Sequence, residues 1–402
     1  MIIYPDIATL DTNLNKVLRK MEKTGVKLDT GYLAKLAVRH AKTLEKLTVQ
    51  IYDLAGHEFL IDSPKQLSGV LYGELHLDEG EVRIPRTKSG KSTAATVLSK
   101  LLGTHPIIAP LMEYRETKKL LSTYIEPLPK LVDDNSRLHT TYSIDTAAGR
   151  LSSKNPNLQN IPARSEEGRE IRKAFVAQEG NEFLSIDYSQ IELRIAAHFS
   201  QDPNLIKAFM SGDDIHTATS KIMKVDRRVA KAINFGLLFG QAAFGLSETL
   251  AISFEEAQEF IDNYFHQFSR LADWMAETKQ KAHEKGYAQT LLGRKRYLSA
   301  ELTSNSYQIR AFAERVALNH PIQGTEAEIM ALAMIEIDQQ LPSDTKMLLQ
   351  VHDELLLEVP KGQAKKLAPK VQKIMSNVAE ITVPIETEAK IGPNWAEMKN
   401  TN

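Results

Sequence analysis

Three short apolar runs interrupt a chain that is otherwise patterned for helices, and acidic residues stand where these runs end. The first run, Glu182-Phe-Leu-Ser-Ile-Asp187, predicts a short buried strand. The other two, residues 347–351 and 355–359, flank His352-Asp353-Glu354 and predict a β-hairpin with acids at its tip. The chain therefore combines many helices with a few strands whose ends carry carboxylates.

The aspartates at these strand ends have two interpretations. A lone Asp at the end of a strand is most often a turn or capping residue. Two of them, Asp187 and Asp353, could instead converge on a hard cation, because Mg2+ prefers oxygen ligands and binds carboxylates together with substrate phosphates. The residues alone leave both interpretations open.

The segment from Asp226 to Gly240 is patterned as a helix with a cationic and aromatic face. Four residues recur at four-residue intervals and share this slowly winding face. They are Arg227, Lys231, Phe235 and Phe239. Such a face suits a nucleoside triphosphate, with charge for the phosphates and apolar surface for sugar and base. The alternative is a surface helix with core aromatics, although Gly236 and Gly240 each cost a helix about 1 kcal/mol and favour a close approach there.

Two other segments carry weaker signals. Residues 211–216 predict a helix N-cap at Asp213 or Asp214 followed by a surface histidine. Ser89-Gly90-Lys91-Ser92 is similar to the end of a phosphate-binding loop, but Pro85 stands where that pattern needs its first glycine. We assign no nucleotide-binding role to this second segment.

Length and charge limit the class of protein. At 402 residues and 42% hydrophobic composition, the chain can bury a sizeable core and predicts two or three domains. Its 50 Lys and Arg residues balance 51 Asp and Glu residues, which counts against a simple nucleic-acid packaging protein. A local basic segment nevertheless lacks acids between Glu81 and Glu113, and a solvated loop is its alternative interpretation. Its basic residues are Arg83, Arg86, Lys88, Lys91 and Lys100.

Cysteine content and the N-terminal sequence bear on location. The chain has no cysteine, which excludes disulfides and thiolate metal sites and fits a reducing compartment. Its first six residues lack the basic and apolar regions of a secretion signal, and no apolar run is long enough to cross a bilayer. We therefore predict a cytoplasmic protein with no membrane partner.

Six segments lie in an order that points to a family. They are Ala148-Gly-Arg-Leu-Ser-Ser153, Asn157-Leu-Gln-Asn-Ile-Pro162, Asp187-Tyr-Ser-Gln-Ile-Glu-Leu-Arg194, Arg227 through Gly240, His320-Pro-Ile-Gln-Gly-Thr325 and Val351-His-Asp-Glu-Leu355. In this order they resemble the polymerase domain of the family A DNA polymerases, the bacterial DNA polymerase I type, over almost the whole chain. The third and sixth segments look like the palm motifs of that family, and the fourth looks like its fingers helix.

The resemblance implies a right-hand polymerase fold of the α+β class. It divides the chain into a helical thumb at residues 1–134, with its first residues packing on the palm, a palm built on an antiparallel sheet at 135–204 and 315–402, and helical fingers at 205–314. The implied activity is template-directed, primer-dependent DNA synthesis from deoxynucleoside triphosphates by a monomer, releasing pyrophosphate. Because the chain starts at the thumb, we also expect no proofreading exonuclease.

For the chemistry, the resemblance implies a two-metal site. Asp187, Asp353 and the backbone carbonyl of Tyr188 would hold two Mg2+ ions, with Mn2+ as a substitute, and Glu354 would be accessory. The implied nucleotide-binding residues are Tyr188, Gln190, Glu192, His216, Arg227, Lys231 and Phe235. Lys231 would also donate a proton to the leaving group, where negative charge builds up in the transition state.

The resemblance also implies how the sugar is selected. Glu192 would occupy the place of a ribose 2′-hydroxyl, so the chain looks built for deoxynucleotides. Phe235, which lacks a phenol hydroxyl, would make dideoxynucleotides poor substrates. Two departures concern the fingers: the family usually has Tyr where Phe239 stands, and the connector at residues 224–226 is shorter than expected for the bacterial enzymes.

Primer–template DNA is the implied macromolecular partner. The implied contacts to it are Arg150, Gln159, Asn160, Phe239, Arg315, Asn319, Gln323 and His352, together with Arg86, Lys88 and Lys91 on duplex phosphates at the thumb tip. Several would line the minor groove, where similarly placed acceptors let contacts test the shape of a pair without reading its sequence. Pro321 interrupts the helical spacing of three of these residues, which makes their shared face less secure.

Two other functions compete with this one. A single-subunit RNA polymerase would share the two aspartates and the Lys-containing helix, but Glu192 argues against it. A primer–template binding protein without catalysis is disfavoured by the presence of Asp187, Asp353, Arg227 and Lys231.

Overall fold

The structure is a computed structural model that describes residues 3–80, 82–88, 90–163, 165–212 and 214–401. Its α-helices are α1 (Ile7–Thr24), α2 (Thr30–Ala55), α3 (Pro64–Gly69), α4 (Ala95–Leu98), α5 (Ile108–Leu120), α6 (Glu166–Lys173), α7 (Ile191–Ser200), α8 (Pro203–Met210), α9 (Ile215–Met223), α10 (Arg227–Leu238), α11 (Ala243–Leu250), α12 (Phe254–Gln267), α13 (Ser269–Lys285), α14 (Ser299–Leu302), α15 (Tyr307–Gln340) and α16 (Ala364–Asn377). Its β-strands are β1 (Val26–Lys27), β2 (Arg86–Thr87), β3 (Gly90–Lys91), β4 (Arg137–Leu138), β5 (Thr141–Ser143), β6 (Ser152–Lys154), β7 (Asn181–Tyr188), β8 (Tyr287–Gln289), β9 (Lys295–Tyr297), β10 (Lys346–Val351), β11 (Glu354–Pro360), β12 (Thr387–Gly392) and β13 (Lys399–Asn400).

The chain divides into two compact units. The larger takes residues 3–26, 139–160 and 177–401, and the smaller takes residues 27–138 and 161–176, in each case without the undescribed positions. The core of the larger unit is built from α1, the central sheet and the helices from α7 onward, whereas the core of the smaller unit is built around α2, α3 and α5. The domain boundaries expected after residues 134, 204 and 314 stay predictions.

A five-stranded antiparallel sheet lies in the larger unit, with the strand order β10-β11-β7-β12-β13. The four consecutive residues from Phe183 to Ile186 in β7 are all buried. Because neighbouring strand residues point to opposite faces, both faces of β7 are covered. This explains why Phe183, Leu184 and Ile186 are all apolar, while the buried Ser185 between them donates its hydroxyl to Glu354.

The predicted hairpin is confirmed. β10 pairs antiparallel with β11, and the pairing ends at Val351 opposite Glu354. A two-residue loop, His352-Asp353, joins the strands, and His352 has a φ of 57°. Tight two-residue hairpin loops need such a left-handed backbone, because it matches the twist of the strands. The hairpin therefore places Asp353 at its tip.

Helix α9 begins with one of the two predicted caps. The carboxylate of Asp214 accepts a hydrogen bond from the backbone N–H of Thr217 at 2.9 Å, which satisfies an otherwise unpaired donor of the first turn. The other candidate, Asp213, lies outside the described residues. The histidine that follows is not on the surface: His216 is 2% exposed because α9 packs against α10, so the prediction of a surface histidine is wrong.

Pro321 does not break the helix that contains it. α15 runs from Tyr307 to Gln340, and Pro321 lies inside it. A proline removes one helical hydrogen bond, but this residue is buried in a helix that packs on α1, α7, α13 and α16. Tertiary packing here outweighs the local preference, so the expected interruption between Asn319 and Gln323 is wrong.

The basic segment of the smaller unit forms a short ribbon. β2 and β3 pair antiparallel, with Arg86 opposite Lys91. Lys91 forms an ion pair with Asp78, while Arg86 and Lys88 are exposed. Ser89 of the failed phosphate-loop match lies outside the described residues. In the part of the chain that the structure describes, no helix combines the length and hydropathy needed to cross a membrane.

Candidate active site

The two aspartates at strand ends are neighbours. In the antiparallel pairing of β7 and β11, Asp187 stands directly opposite Glu354. The backbone N–H of Tyr188 donates a hydrogen bond to the backbone carbonyl of Asp353 at 3.1 Å. Strand pairing therefore brings together two acids that are far apart in sequence, as the convergence hypothesis requires.

The side chain of Asp187 is held in an unfavourable environment for an anion. Its Oδ1 atom is buried and has no hydrogen-bond partner. Burial, together with the nearby carboxylates of Asp353 and Glu354, raises the pKa of Asp187 to about 8, although Lys390 opposes this shift. An unpaired buried carboxylate oxygen beside a second carboxylate is a site that a cation would stabilise.

This donor set fits a hard divalent cation that shares its ligands with a substrate. Within the described residues, no group of three or more His, Asp or Glu side chains forms a complete metal site. Carboxylates supplemented by water and phosphate oxygens are what Mg2+ commonly uses. The donor set at Asp187 and Asp353 is compatible with the expected cation, and the role of the Tyr188 carbonyl as a further ligand stays a prediction.

The third acid of this cluster is fixed by hydrogen bonds. Glu354 Oε1 accepts from the hydroxyl of Ser185 at 2.5 Å and from the indole Nε1–H of Trp395 at 3.2 Å. The ring of Tyr188 points away from the acids, because its hydroxyl donates to the carbonyl of Met375 at 3.0 Å. These two hydrogen bonds fix the position of Glu354 Oε1.

The predicted phosphate-binding residues lie on α9 and α10. Arg227, in the first turn of α10, is exposed and donates from Nε to Oδ2 of Asp214 at 2.8 Å. The same Asp214 accepts from Nε2 of Gln190 at 2.6 Å. Lys231 follows Arg227 one turn later and is exposed. Asp214 therefore links Gln190, within the first palm motif, to the fingers helix.

His216 is held as a neutral imidazole. The side-chain amide of Asn234 lies 3.0 Å from Nδ1 of His216, and the Oδ1 atom of that amide accepts from the hydroxyl of Thr219 at 3.1 Å. The amide nitrogen therefore donates to Nδ1, which leaves the ring proton on Nε2. Burial lowers the pKa of His216 to about 4, with Lys231 and Arg227 adding to the effect. The neutral ring offers one N–H donor.

The aromatic residues of the fingers segment form a stack at the end of α10. The rings of Phe235 and Phe239 have centroids 6.4 Å apart and are nearly parallel. The helix itself ends at Leu238, so Phe239 lies one residue past it. At Gly236 an added Cβ would meet the end of the flexible Gln241 side chain, which can move aside, whereas Gly240 has a φ of 74° that favours glycine. The backbone therefore explains Gly240, and the close approach of another group expected here stays a prediction.

A cavity of about 300 Å³ lies between the hairpin tip, α7 and the Phe235 ring of α10. Its lining is Arg150, Gln190, Ile191, Glu192, Phe235, Glu326, His352 and Asp353. It thus contains residues from the palm, the fingers helix and the hairpin tip. One predicted metal ligand, Asp353, thus shares this cavity with the predicted nucleotide contacts Gln190, Glu192 and Phe235. Among the other predicted residues of the two sets, Asp187, His216, Arg227 and Lys231 do not line it.

Apart from Arg86, Lys88 and Lys91 of the smaller unit, the predicted DNA contacts lie in the larger unit, most of them around the hairpin and along α15. Gln159 donates from Nε2 to Oε1 of Gln350 at 3.0 Å, which brings it to the strand that leads to His352. Along α15, Arg315 is exposed, and Asn319 and Gln323 are partly buried. Asn160, in the same segment as Gln159, is exposed. The roles of these residues towards DNA stay predictions.

Three polar residues of this region were missed as site residues by the sequence-based interpretation. Glu326 lies on α15 and contacts Arg150, Asp214 was considered only as a cap, and buried Asn234 orients His216. Only Glu326 had a usable signal, since it follows Gln323 by three residues and so shares its helix face. An acid among apolar neighbours in a buried helix marks a place where a partner is needed.

Comparisons with known proteins agree with this geometry. The family model for DNA polymerase family A matches residues 30–397. The thermostable DNA polymerase I of Thermus aquaticus is 46% identical over 400 residues, covering 96% of this chain and 48% of that protein. DNA polymerase I of Streptococcus pneumoniae is 44% identical over 398 residues, covering 95% of this chain and 45% of that protein. The chain therefore spans about half the length of the curated relatives it matches.

A solved structure supports the same assignment. The polymerase domain of Pol1 from M. smegmatis, determined in complex with a DNA primer-template and a dNTP, superposes with a TM-score of 0.90 at 39% identity. The match covers 97% of this chain and 72% of that one. The expected α+β polymerase fold, helix-rich with small antiparallel sheets, is confirmed. Family model, relatives and fold agree, and the chain belongs to DNA polymerase family A.

Proposed function

We propose that this chain catalyses template-directed, primer-dependent DNA synthesis, adding deoxynucleotides to a primer 3′-hydroxyl and releasing pyrophosphate. The observation that carries the proposal is the meeting of Asp187 and Asp353 beside a cavity that Phe235 of the fingers helix also lines. Membership of DNA polymerase family A and the primer-template and dNTP in the related Pol1 structure support it. Thumb, palm and fingers would take the residue ranges expected from the sequence.

Asp187, Asp353 and the carbonyl of Tyr188 would hold divalent cations, with Mg2+ as the expected metal and Mn2+ as a substitute. When bound, such ions supply charge for the primer hydroxyl and for the triphosphate oxygens. The chain itself would keep the carboxylates of Asp187 and Asp353 close enough to bind the same cations. The paired strands β7 and β11 fix both backbones, so little reorganisation is needed when the substrate arrives.

The fingers residues would bind the triphosphate. Arg227 and Lys231 present positive charge one helical turn apart, and neutral His216 would donate from Nε2 to a phosphate oxygen once the site opens enough to reach it. Lys231 would give its proton to the departing pyrophosphate. Because these contacts strengthen as charge develops, loss of Lys231 should lower turnover more than ground-state binding.

The sugar and the base would be held by the cavity walls. Glu192 would fill the place of a 2′-hydroxyl, and Phe235 would pack on the nucleotide. Arg150, His352 and the polar residues of α15 would contact the minor groove of the nascent pair. The ring of Phe239 would stack on the template strand. It keeps the stacking surface of the tyrosine usual in the family but lacks the hydroxyl group of that tyrosine.

A primer-extension assay tests this function. A labelled primer on a DNA template is incubated with Mg2+ and either deoxy- or ribonucleotides. We expect efficient extension with deoxynucleotides only. Asp353→Ala should lower the rate by about a thousandfold or more. Asp344→Ala removes an exposed acid shortly before the same hairpin and is the matched control. Duplex binding without extension by the unmodified protein would refute the proposal, and efficient ribonucleotide extension would favour an RNA polymerase.

A further inference from the structure

A second carboxylate contacts the arginine that pairs with Glu192. Nη2 of Arg150 donates to Oε1 of Glu192 at 2.6 Å, and the same nitrogen donates to Oε2 of Glu326. A terminal guanidinium nitrogen carries two N–H groups, so each carboxylate takes one of them. Arg150 thus bridges two acids with a single nitrogen.

Glu326 is built into the wall of the nucleotide cavity. It projects from α15, one turn beyond Gln323, and is 5% exposed. It lines the cavity that contains Phe235 and Asp353, and it also lines a smaller neighbouring cavity with Gln159 and Gln350. A buried carboxylate is costly unless it is paired, and Arg150 is the cation that pairs with it.

The protonation of Glu326 does not remove this contact. Burial raises the pKa of Glu326 to about 7 against the opposing effect of Arg150, and the nearby Glu192 carboxylate adds to the rise. Burial also raises the pKa of Glu192, against the opposing effects of Arg150 and of a hydrogen bond with the Glu326 side chain. A neutral carboxyl group at position 326 still accepts from Nη2 with its carbonyl oxygen. A glutamine there keeps the same acceptor and is therefore the matched isostere.

We propose that Glu326 is a positioning residue for sugar selection: by taking one N–H of Arg150 Nη2, it leaves Glu192 only the other and fixes the Glu192 carboxylate in the cavity. This inference rests on the proposed function, in which Glu192 occupies the place of a 2′-hydroxyl. It deepens that function by assigning specificity to a residue on α15. In this role Glu326 acts through Arg150 and Glu192.

Removal of the acceptor has a definite consequence. Without Glu326, one N–H of Arg150 Nη2 loses its buried partner, and the guanidinium can turn towards Glu192 or out of the cavity. After either movement the Glu192 carboxylate is no longer held in one position. A 2′-hydroxyl then meets a mobile carboxylate that can move aside or accept its hydrogen bond, and discrimination against ribonucleotides falls.

The test compares kcat/KM for deoxy- and ribonucleotides in primer extension. We expect Glu326→Ala to lower the deoxy-to-ribo ratio about tenfold, the worth of one hydrogen bond between charged groups. Glu326→Gln should retain most of the ratio, since it keeps the acceptor. Glu328→Gln is the control for a merely structural effect: Glu328 is a buried acid on the same helix, but it bonds Thr290 and the backbone of Leu292.

A double-mutant cycle completes the test. In an Arg150→Ala background, Glu326→Ala should lower the ratio much less than it does in the unmodified protein, because the contact with Arg150 is then absent and only the direct contact between Glu326 and Glu192 is lost. A Glu326→Ala protein with a lowered Tm but an unaltered ratio would overturn the inference, as would an equal loss of the ratio in Glu328→Gln. Failure of the unmodified protein to extend a primer would instead refute the proposed function.

Discussion

Asp214 Oδ2 lies 2.8 Å from Nε of Arg227 and ties the start of α9 to the first turn of α10. The pair leaves both terminal nitrogens of the guanidinium available for a planar, bidentate contact with phosphate oxygens. Although burial opposes it, hydrogen bonds from Arg227, Thr217 and Gln190 hold the pKa of Asp214 well below its usual range. At neutral pH the carboxylate is therefore charged and orients Arg227.

Replacement of this acid should weaken nucleotide binding. Asp214→Asn keeps a helix cap and a neutral acceptor, but a charge-assisted hydrogen bond is about twice as strong as a neutral one. We expect the KM for deoxynucleotides to rise about three- to fivefold with little change in kcat, measured by steady-state primer extension. In an Arg227→Ala background the same substitution should have no further effect. An additive loss would show that Asp214 acts through another group.

The acid cluster of the palm predicts a stability effect of metal binding. Asp187 and Asp353 repel each other when both are ionised, and the pKa of about 8 means that the folded protein takes up a proton on Asp187 at neutral pH to relieve this repulsion. Because Mg2+ stabilises the ionised pair, it should raise the Tm of the protein. Asp187→Asn removes the repulsion, and we expect it to raise the Tm in EDTA by a few degrees, an effect of about 1 kcal/mol, while abolishing primer extension. Thermal unfolding with and without Mg2+ measures both effects. A lower Tm for Asp187→Asn than for the unmodified protein in EDTA would contradict this prediction.

His216 predicts a pH dependence of stability. Its pKa is about 4 in the folded protein, against 6.5 for the free side chain, so the unfolded chain binds the proton first as the pH falls. The stability that comes from the neutral ring is fully present above pH 6.5 and is lost as the pH falls towards 4. His216→Gln should lack this component, worth about 2 kcal/mol, in denaturant unfolding at pH 7 and pH 4.5. Parallel pH profiles for both proteins would contradict it.

The sequence predicted the elements that carry regular patterns. Residues 182–187 and the hairpin with Asp353 were identifiable because apolar runs of this length, bounded by turn residues, have few alternatives. Family resemblance then brought the two aspartates together. Helix α10 was identifiable from its four-residue period, although its end at Leu238 was not.

The remaining features depend on contacts between distant parts of the chain. Glu326 and Arg150 are separated by 176 positions, and no local pattern shows that they meet. Burial of His216 and the unbroken helix through Pro321 are likewise effects of packing, which overrides the preference of a single residue.

The basic segment of the smaller unit predicts a change in the salt dependence of DNA binding. Each phosphate contact adds about 0.9 to the slope of log K against log salt concentration. Arg86 and Lys88 are exposed, whereas Lys91 is paired with Asp78. We therefore expect Arg86→Gln with Lys88→Gln to lower the slope by about 1.8, and Lys91→Gln to add less than the others.

Binding to a primer–template duplex between 50 and 200 mM salt measures this slope, because added salt strongly lowers an affinity that depends on phosphate contacts over this range. Lys42→Gln with Lys46→Gln is the matched control, since it removes the same charge from exposed positions on α2 of the same unit. The control should shift the slope little, because only contacts that displace counterions contribute to it. Both double variants remove two positive charges, and they differ only in the positions of those charges. Equal slopes for both would therefore mean that the segment at residues 86–91 is a solvated loop.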